Sequence, residues 1–352
     1  MDWTLQGRVR YRVGSRTALP QGDPHVNWQS IPLPALLCAG LAAVPALAQD
    51  PAAGYPNRPI RFIIASAAGG SPDTVSRILA AELTKQLGQP LVIDNRPGGG
   101  QTIGTRLIVD APPDGYTIGY GNVVTLVINL SLLAKQPYDP DRDLQLVSRM
   151  GFQQNVFAVT SSLPVKTLPE LIEHAKQNPG RLMHASSGNG TTGHLGGEMF
   201  KMMAGIQMVH VPYRGSPQAI TDLISGQAHF MSDNMASILP HVKSGRVRGL
   251  AVTGGSRSPV LPDLPTVSEA GVPGYEASGW GGVVVPARVP RAIVARLNAE
   301  INKAMQSPAL REKYFALGYE TLGGTVAEFA AYVKSERTKW GEVIRKSGAR
   351  AE

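Results

Sequence analysis

The sequence predicts an α/β fold in two lobes, each built on a mostly parallel sheet flanked by helices. Short apolar segments alternate with amphipathic helical segments along the chain, which is the pattern of doubly wound sheets. Glycine-rich turns follow several of the apolar segments, and the chain contains 39 Gly and 28 Pro. At 352 residues the chain is longer than one typical domain, so two lobes are expected.

The first α/β unit begins with a strand at residues 60–65 (Ile-Arg-Phe-Ile-Ile-Ala). A glycine turn leads to a helix from Pro72 to about Leu87. We expect Ser71 to cap this helix, because a serine hydroxyl accepts a first-turn N–H and proline is tolerated in that turn. The unit continues with a strand at 91–93, a glycine turn at 97–104, a second helix and a strand at 116–120.

A second α/β unit is predicted after Leu163. Thr167 and Glu170 have the spacing of a capping box, as do Thr325 and Glu328 further along the chain. The predicted elements of this unit are a helix from Thr167, a strand at 182–186, a helix at 192–203, a strand at 208–212, a helix at 216–225, a strand at 228–231, a helix at 235–243 and a strand at 248–253. The C-terminal part that follows is predicted to form a helix at 290–306 and a last helix after Thr325.

We expect the C-terminal helices to pack on the first unit, because their apolar faces need a surface to cover. The first lobe would then comprise residues 49–155 and 283–352, and the second residues 156–282. The chain would cross between the lobes near 153–163 and again at 278–282 (Ser-Gly-Trp-Gly-Gly), where glycines could absorb a hinge rotation.

Residues 1–48 are interpreted as a signal peptide with an over-extended start. The apolar run at 31–48 is broken by three prolines, so it makes a poor membrane span. It ends in a helix-breaking proline and a small-residue cleavage site, Ala46-Leu47-Ala48. Cleavage there would leave Gln49 as the first residue and would remove Cys38, the single cysteine. These features predict a periplasmic protein.

The formal net charge is +8, but the basic residues are scattered and aromatic residues make up only 6% of the chain. Proteins that bind nucleic acids more often show a basic stripe or stacking aromatics. We therefore expect no nucleic-acid partner. A moderately basic surface suits a small anionic ligand.

Three glycine-rich loops follow predicted strands, at 69–71, 98–100 and 188–193. Such loops can offer backbone N–H groups to an anion at the carboxyl ends of the strands, although glycine also simply permits sharp turns. Residues 188–193 (Gly-Asn-Gly-Thr-Thr-Gly) have the spacing of a dinucleotide-binding loop. An α/β nucleotide-dependent enzyme that uses Gly188 to Gly193 is therefore the alternative hypothesis.

No catalytic constellation is apparent, because the chain lacks a nucleophile elbow, a P-loop lysine and the two-histidine zinc motif of metalloproteases. His194 and Glu198 lie one helical turn apart but lack the further ligands that a metal needs. Asp233 and Asn234, at the end of a predicted strand, suit a general base, a ligand partner or a helix N-cap. The sequence thus predicts no enzyme, no metal and no cofactor.

Several segments match a known family in order and spacing: 55–61 (Tyr-Pro-Asn-Arg-Pro-Ile-Arg), 69–73 (Gly-Gly-Ser-Pro-Asp), 94–100 (Asp-Asn-Arg-Pro-Gly-Gly-Gly), 186–190 (Ser-Ser-Gly-Asn-Gly), 210–215 (His-Val-Pro-Tyr-Arg-Gly) and 264–271 (Leu-Pro-Thr-Val-Ser-Glu-Ala-Gly). With these segments the chain, from about Tyr55 to Ala349, resembles the tripartite tricarboxylate transporter substrate-binding family, the Bug-type periplasmic solute receptors.

The resemblance implies a two-lobed fold like that of periplasmic binding proteins, with a small carboxylate ligand in the cleft between the lobes. It also implies two integral-membrane transporter subunits as partners of a receptor that we expect to be monomeric. The implied ligand contacts are Ser66, Ala67, Gly70, Ser71 and Asp73 from the first lobe, and Gly188, Asn189, Thr191, Thr192, His194, Asp233 and Asn234 from the second.

The first-lobe loop departs from the family pattern Pro-Phe-Ala-Pro-Gly-Gly-Ser-Thr-Asp. Ser66 stands where the family has a large aromatic residue, and Pro72 stands where it has a threonine. These two changes enlarge the space and remove a backbone N–H. They predict a ligand that is bulkier or differently oriented than those of better-matched relatives.

Overall fold

The computed structural model describes residues 52–347, so the interpreted signal peptide at 1–48 lies outside the described residues. The strands are β1 (Ile60–Ile64), β2 (Leu91–Asn95), β3 (Thr117–Asn122), β4 (Leu144–Thr160), β5 (Met183–Ser186), β6 (Val209–Pro212), β7 (Phe230–Asn234), β8 (Val247–Val252), β9 (Ser278–Pro286) and β10 (Tyr319–Thr321). The helices are α1 (Ser71–Leu87), α2 (Thr102–Val109), α3 (Asn129–Leu132), α4 (Pro140–Asp143), α5 (Leu168–Gln177), α6 (Thr192–Ala204), α7 (Ser216–Ser225), α8 (Met235–Lys243), α9 (Arg291–Gln306), α10 (Pro308–Ala316) and α11 (Val326–Ser347). Across 52–347, no helix combines the length and apolar character that crossing a membrane requires.

The strands form one mixed sheet in the order β2-β1-β3-β9-β4-β7-β5-β6. In addition, β8 pairs with the last five residues of β4, and β10 pairs with its middle at 151–153. The outer strands on each side pair in parallel, β1 with β2 and β3, and β5 with β6 and β7. The two central strands, β4 and β9, run antiparallel to their neighbours. The predicted α/β architecture of parallel strands and flanking helices is therefore present, with an antiparallel centre between the two parallel sets.

The two segments predicted as lobe crossovers fall mainly in these central strands: 278–282 lies in β9, and 153–160 of the segment 153–163 lies in β4. The 17-residue strand β4 runs through both sides of the sheet, and its first part pairs with β9 from Leu144 opposite Pro286 to Gln154 opposite Ser278. Sequence inspection missed β4 because polar residues interrupt its apolar pattern. Most of those polar side chains, such as Gln153 and Asn155, are buried and hydrogen-bonded to neighbouring elements.

Two glycines of β9 make room for aromatic rings. A Cβ atom on Gly281 would collide with the Tyr120 ring, and one on Gly282 would meet the Phe329 ring at 2.6 Å. Such contacts lie closer than real side chains pack. Close packing therefore accounts for these two glycines, and the predicted hinge role stays a prediction.

Helix α1 follows its sequence pattern closely, with Val75, Leu79 and Leu83 fully buried. Gly88 ends it in the left-handed region at φ 69°, where glycine carries no Cβ penalty. The predicted N-cap is wrong. Gly70 occupies the cap position without a side-chain hydrogen bond, and Ser71 is the first helical residue.

The C-terminal helices pack against the first unit, as predicted, and α11 also contacts the second unit. Helix α9 contacts α1 and β4, whereas α11 contacts β4, the helical turn at Val124–Ile128 and also α6 of the second unit. The predicted capping box at Thr325 is confirmed, since Glu328 accepts the Thr325 N–H at 2.7 Å and Thr325 accepts the Glu328 N–H at 3.1 Å.

Candidate ligand-binding cavity

A cavity of about 620 Å³ opens at the carboxyl ends of the parallel strands. The loops that follow β1, β2, β5 and β6 supply most of its wall, and Gln153 of β4 with Trp280 of β9 supplies part of the floor. Open α/β sheets bind ligands at this edge, where several strands end together. The topology thus brings residues of two predicted glycine loops, 98–100 and 188–193, to the wall of one space, whereas residues 69–71 do not line it.

The loops from the two parallel sets touch on two sides of the cavity. A Cβ atom on Gly215, after β6, would lie 2.7 Å from the Cβ of Ala67, after β1. On the other side, a Cβ on Gly100 would lie 3.8 Å from the carbonyl oxygen of Asn189. A ligand in this space would contact loops of both sets.

The loop after β1 divides into a lining part and a supporting part. Ser66, Ala67 and Pro72 line the cavity, whereas the predicted contacts Gly70, Ser71 and Asp73 are buried behind it. The Ser71 N–H donates to the Ser237 hydroxyl at 2.7 Å, and its own hydroxyl accepts from Gln153 at 2.5 Å. Hydrogen bonds to neighbouring elements therefore occupy the groups predicted to meet a ligand.

Asp73 holds the turn that precedes α1. Its carboxylate accepts the Gly69 N–H at 2.8 Å and pairs with Arg77 at 2.9 Å. Burial acts to raise the pKa of this carboxyl, but the hydrogen bonds from Arg77 and Gly69 hold the pKa below its usual value. Asp73 is thus an ionised structural group of the loop.

The loop after β5 forms the opposite wall. Gly188, Asn189, Thr191 and Thr192, four of the predicted ligand contacts, all line the cavity. Thr191 is the N-cap of α6: its hydroxyl accepts the His194 N–H at 3.3 Å and donates to the Gly188 carbonyl at 2.8 Å. These bonds fix the loop with the amino end of α6 at the cavity wall.

The glycine spacing that suggested a nucleotide site has a packing cause. Gly188 and Gly190 adopt positive φ angles of 136° and 76°, where a side chain would be strained. A Cβ on Gly193 would collide with the carbonyl oxygen of Ser232, because α6 packs directly on β7. All three glycines are required by the turn and by this contact.

His194, a predicted ligand contact, lies behind the loop and does not line the cavity. It is 5% exposed, and its Nδ1 atom accepts the Gly190 N–H at 3.0 Å. Its position on the first turn of α6 was predictable, but the direction in which its ring points was not.

The end of β7 separates the last two predicted residues. Asn234 lines the cavity, with its side-chain oxygen 3.5 Å from the Thr192 hydroxyl. Asp233 is 1% exposed and does not line it, and its Oδ2 atom has no hydrogen-bond partner. Burial raises the pKa of Asp233 to about 7.

The cavity wall favours a negative charge. Residues at the N-terminal ends of four helices line it: Pro72 of α1, Thr192 of α6, Ser216 of α7 and Asn234, which precedes α8. Helix N-termini carry partial positive charge and free N–H groups. Among the lining residues within 52–347, Arg214 is the only charged side chain.

Residues 75–349 match the sequence profile of the tripartite tricarboxylate transporter family receptor. The chain belongs to this receptor family. The predicted family and the prediction of a solute-binding receptor in place of an enzyme are thereby confirmed.

Relatives of the receptor agree over most of its length. Protein BugT of Bordetella pertussis (strain Tohama I) is 35% identical over 297 residues, which span 84% of this chain and 91% of BugT. Among solved structures, R. palustris Rpa4515 with adipate has a TM-score of 0.83 at 35% identity and covers 84% of this chain and 99% of its own. MatC from Rhodopseudomonas palustris with bound malate has a TM-score of 0.78 at 29% identity, covering 82% and 100%.

Sequence inspection of the receptor missed several lining side chains, chiefly Tyr120, Gln153, Arg214 and Trp280. Trp280 is held by α11, because its indole N–H donates to the buried Glu336 carboxylate at 2.7 Å. Arg214 lies two residues after the predicted strand at 208–212, and that position was the available signal. For Gln153 and Trp280 the signal was absent, because β4 was not predicted and 278–282 was interpreted as a hinge.

One cluster of the receptor has metal-ligand residue types. Ligand atoms of His194, Glu198 and His210 lie within 4.8 Å of one another. However, the two imidazole rings stack with centroids 3.9 Å apart and planes only 13° from parallel. Nitrogen lone pairs lie in the ring plane, so parallel rings cannot both direct them at one ion. The Glu198 carboxylate is also already paired with Lys201, whose Nζ lies 2.6 Å from Glu198 Oε1. The cluster does not fit a metal site.

Proposed function

We propose that the receptor captures a small carboxylate in the 620 Å³ cavity, with a carboxylate group bound at the amino ends of α6 and α7. The observation that carries this proposal is the convergence of helix N-termini on a cavity whose lining, within the described residues, includes no acidic side chain. Exposed Arg214 offers a bidentate site for a second negative charge.

The rest of the lining suits a carbon chain. Tyr120, Trp280, Ile103, Val123 and Val124 present apolar surface to the cavity. A free ammonium group would find no carboxylate partner among the described lining residues, which favours carboxylic acids over amino acids. Ser66 and Pro72 line the same space and support the expectation of a bulkier ligand. Adipate and malate in the two related structures are the natural first probes.

Titration calorimetry with adipate, malate, glutamate, hexanoate, NADPH and ATP tests the proposal. We expect binding of at least one carboxylate and none of either nucleotide. Arg214→Gln should lower the affinity for adipate by about three- to tenfold, because an exposed charge pair is worth about 1 kcal/mol. The affinity for hexanoate, which has one carboxylate, should stay within about twofold of the wild-type value. Arg291→Gln, an exposed arginine outside the cavity lining, is the matched control. Nucleotide binding without carboxylate binding would refute the proposal.

We further propose that the parallel strand sets are the two lobes with the boundaries predicted above, and that two integral-membrane subunits receive the ligand from the monomeric receptor. Residues 1–48 would be removed on export to the periplasm. Intact-mass measurement on the exported protein should give a chain that starts within a few residues of Gln49. A mature chain that keeps residues 31–48 would refute the cleavage.

A further inference from the structure

Two stacked imidazole rings lie directly behind the loop that follows β5. The rings of His194 on α6 and His210 on β6 are 3.9 Å apart between centroids and 13° from parallel. Neither residue lines the cavity, but Gly188 and Asn189 of the loop to which the rings are bonded do. The histidine pair therefore sits in position to support the wall that the proposed ligand would touch.

Each ring bonds to this loop. His194 Nδ1 accepts the Gly190 N–H at 3.0 Å. His210 Nε2 lies 2.7 Å from the Ser186 hydroxyl, which in turn accepts the Gly188 N–H at 3.3 Å. The two glycines whose N–H groups are held in this way, Gly188 and Gly190, are the glycines of this loop that have positive φ angles. Both bonds fix the loop where its backbone has the most freedom.

The bond to Gly190 requires a neutral ring. A neutral imidazole has one nitrogen that accepts a hydrogen bond, whereas both nitrogens of an imidazolium are donors. If His194 gained a proton at Nδ1, the Gly190 N–H would face another donor and the contact would be lost. The support that His194 gives to the loop therefore depends on its charge state.

The groups around the pair oppose protonation. Burial and, to a smaller extent, the positive charge of Lys201 together lower the pKa of His194 to about 4. Burial, His194 and Lys201 together lower the pKa of His210 to about 3. Glu198 would favour a charged ring, but it lies 3.9 Å from His194 Nε2 and is paired with Lys201 at 2.6 Å. From β5, the fully buried His184 ring lies against His210.

Two charged side chains of helix α11, which also packs on α6, are paired with groups other than the histidines. Glu336 accepts hydrogen bonds from the indole groups of Trp280 and Trp340, and Lys339 pairs with Glu276. Within residues 52–347, Lys201 is the lysine whose positive charge lowers the pKa of both rings.

We propose that His194 and His210 are positioning residues that, as a neutral stacked pair, hold the loop at 186–191 in the shape that binds the carboxylate, and that Lys201 keeps the pair neutral by its charge and by occupying Glu198. The effect on binding rests on the proposed carboxylate function, whereas the effect on the loop does not.

The first test compares two variants at His194. Asparagine places an acceptor oxygen near the position of Nδ1 and cannot gain a proton, whereas leucine fills the space without an acceptor. At pH 7.5, hydrogen exchange of the segment 186–191 should remain near wild type in His194→Asn and rise about tenfold in His194→Leu. The affinity for adipate should follow the same order. Equal exchange in the two variants would overturn the proposed role of His194.

The second test removes the positive charge of Lys201. Lys201→Gln removes the cation and frees Glu198 to favour imidazolium, so loop protection and adipate affinity should fall at a higher pH than in the wild type. Between pH 7.5 and pH 6.0, we expect an added loss of about three- to tenfold in adipate affinity for this variant. Lys85→Gln is the matched control, since Lys85 also pairs with a glutamate three residues earlier, at 3.6 Å. Any change in the ionisation of adipate with pH affects the wild type, Lys201→Gln and Lys85→Gln equally, so it does not contribute to the difference between them.

An unchanged pH profile in Lys201→Gln would overturn the role of Lys201, and so would an equal shift in Lys85→Gln. Stabilisation of the wild type by Zn²⁺ alone, lost in His194→Asn, would show a metal site and overturn the neutral pair. If the wild type binds no carboxylate but exchange at 186–191 responds as stated, the proposed function fails and the positioning role stands.

Discussion

Replacing Asp233 by asparagine should raise the free energy of unfolding at pH 8 by about 2–4 kcal/mol. The carboxyl group is buried, one of its oxygens has no hydrogen-bond partner, and burial raises its pKa from 3.8 to about 7. At pH 8 the folded protein must therefore hold an unpaired buried charge. Asparagine has nearly the same shape and carries no charge.

The pH dependence of this effect has a definite sign. Because the folded pKa lies above the unfolded one, the stability associated with protonated Asp233 is complete below pH 3.8 and is lost as the pH rises to about 7. The gain from Asp233→Asn should thus shrink towards zero as the pH is lowered from 8 to 4. Urea unfolding at both pH values measures it, with the exposed Asp263→Asn as control. A destabilised Asp233→Asn protein at pH 8 would contradict this account of the buried carboxyl.

Gly193→Ala should cost about 3 kcal/mol of stability or more and weaken carboxylate binding by at least about tenfold. A Cβ atom at this position would collide with the backbone carbonyl of Ser232. Backbone cannot yield as a flexible side chain can, so the amino end of α6 must move away from β7. That movement would displace Thr191 and Thr192 from the cavity wall.

Gly205→Ala in the same helix is the control. Gly205 ends α6 at φ 65° with nothing within 4 Å of a Cβ atom. Its substitution should cost about 1–2 kcal/mol through the left-handed backbone alone and leave ligand affinity unchanged. Equal losses in the two variants, measured by unfolding and by calorimetry, would contradict the requirement for close packing at Gly193.

Local patterns predicted much of the fold. The helices at 216–225 and 235–243 have the predicted bounds, because glycine, proline and apolar spacing act within a few residues. The strand β4 could not be predicted in this way. Its buried polar residues, among them Gln153, are satisfied only by distant partners such as Ser71 and the Ala236 N–H.

In the cavity, too, features set by neighbouring residues were predictable and features set by the fold were not. The loop at Gly188 to Thr192 was predictable, since glycines after a strand and a threonine at a helix start act locally. The orientations of Asp73, His194 and Asp233 were not predictable. Asp73 and His194 accept backbone N–H groups only four residues away, but these contacts depend on the shape that the loops take in the folded chain, and the folded chain also buries all three side chains. The sequence shows Arg214 near the end of a predicted strand. That it is the one charged side chain in the cavity lining within 52–347 depends on the topology, which brings the other lining loops together.

The proposed occupant of the cavity is a small carboxylate. Mass spectrometry of the small molecules released from the receptor, purified without added ligand from cells that naturally express it, tests this most directly. We predict a carboxylic acid in near-stoichiometric amount from the wild type, and a much smaller amount from Gly193→Ala purified in the same way. A nucleotide, or a bound molecule without a carboxylate group, would contradict the claim.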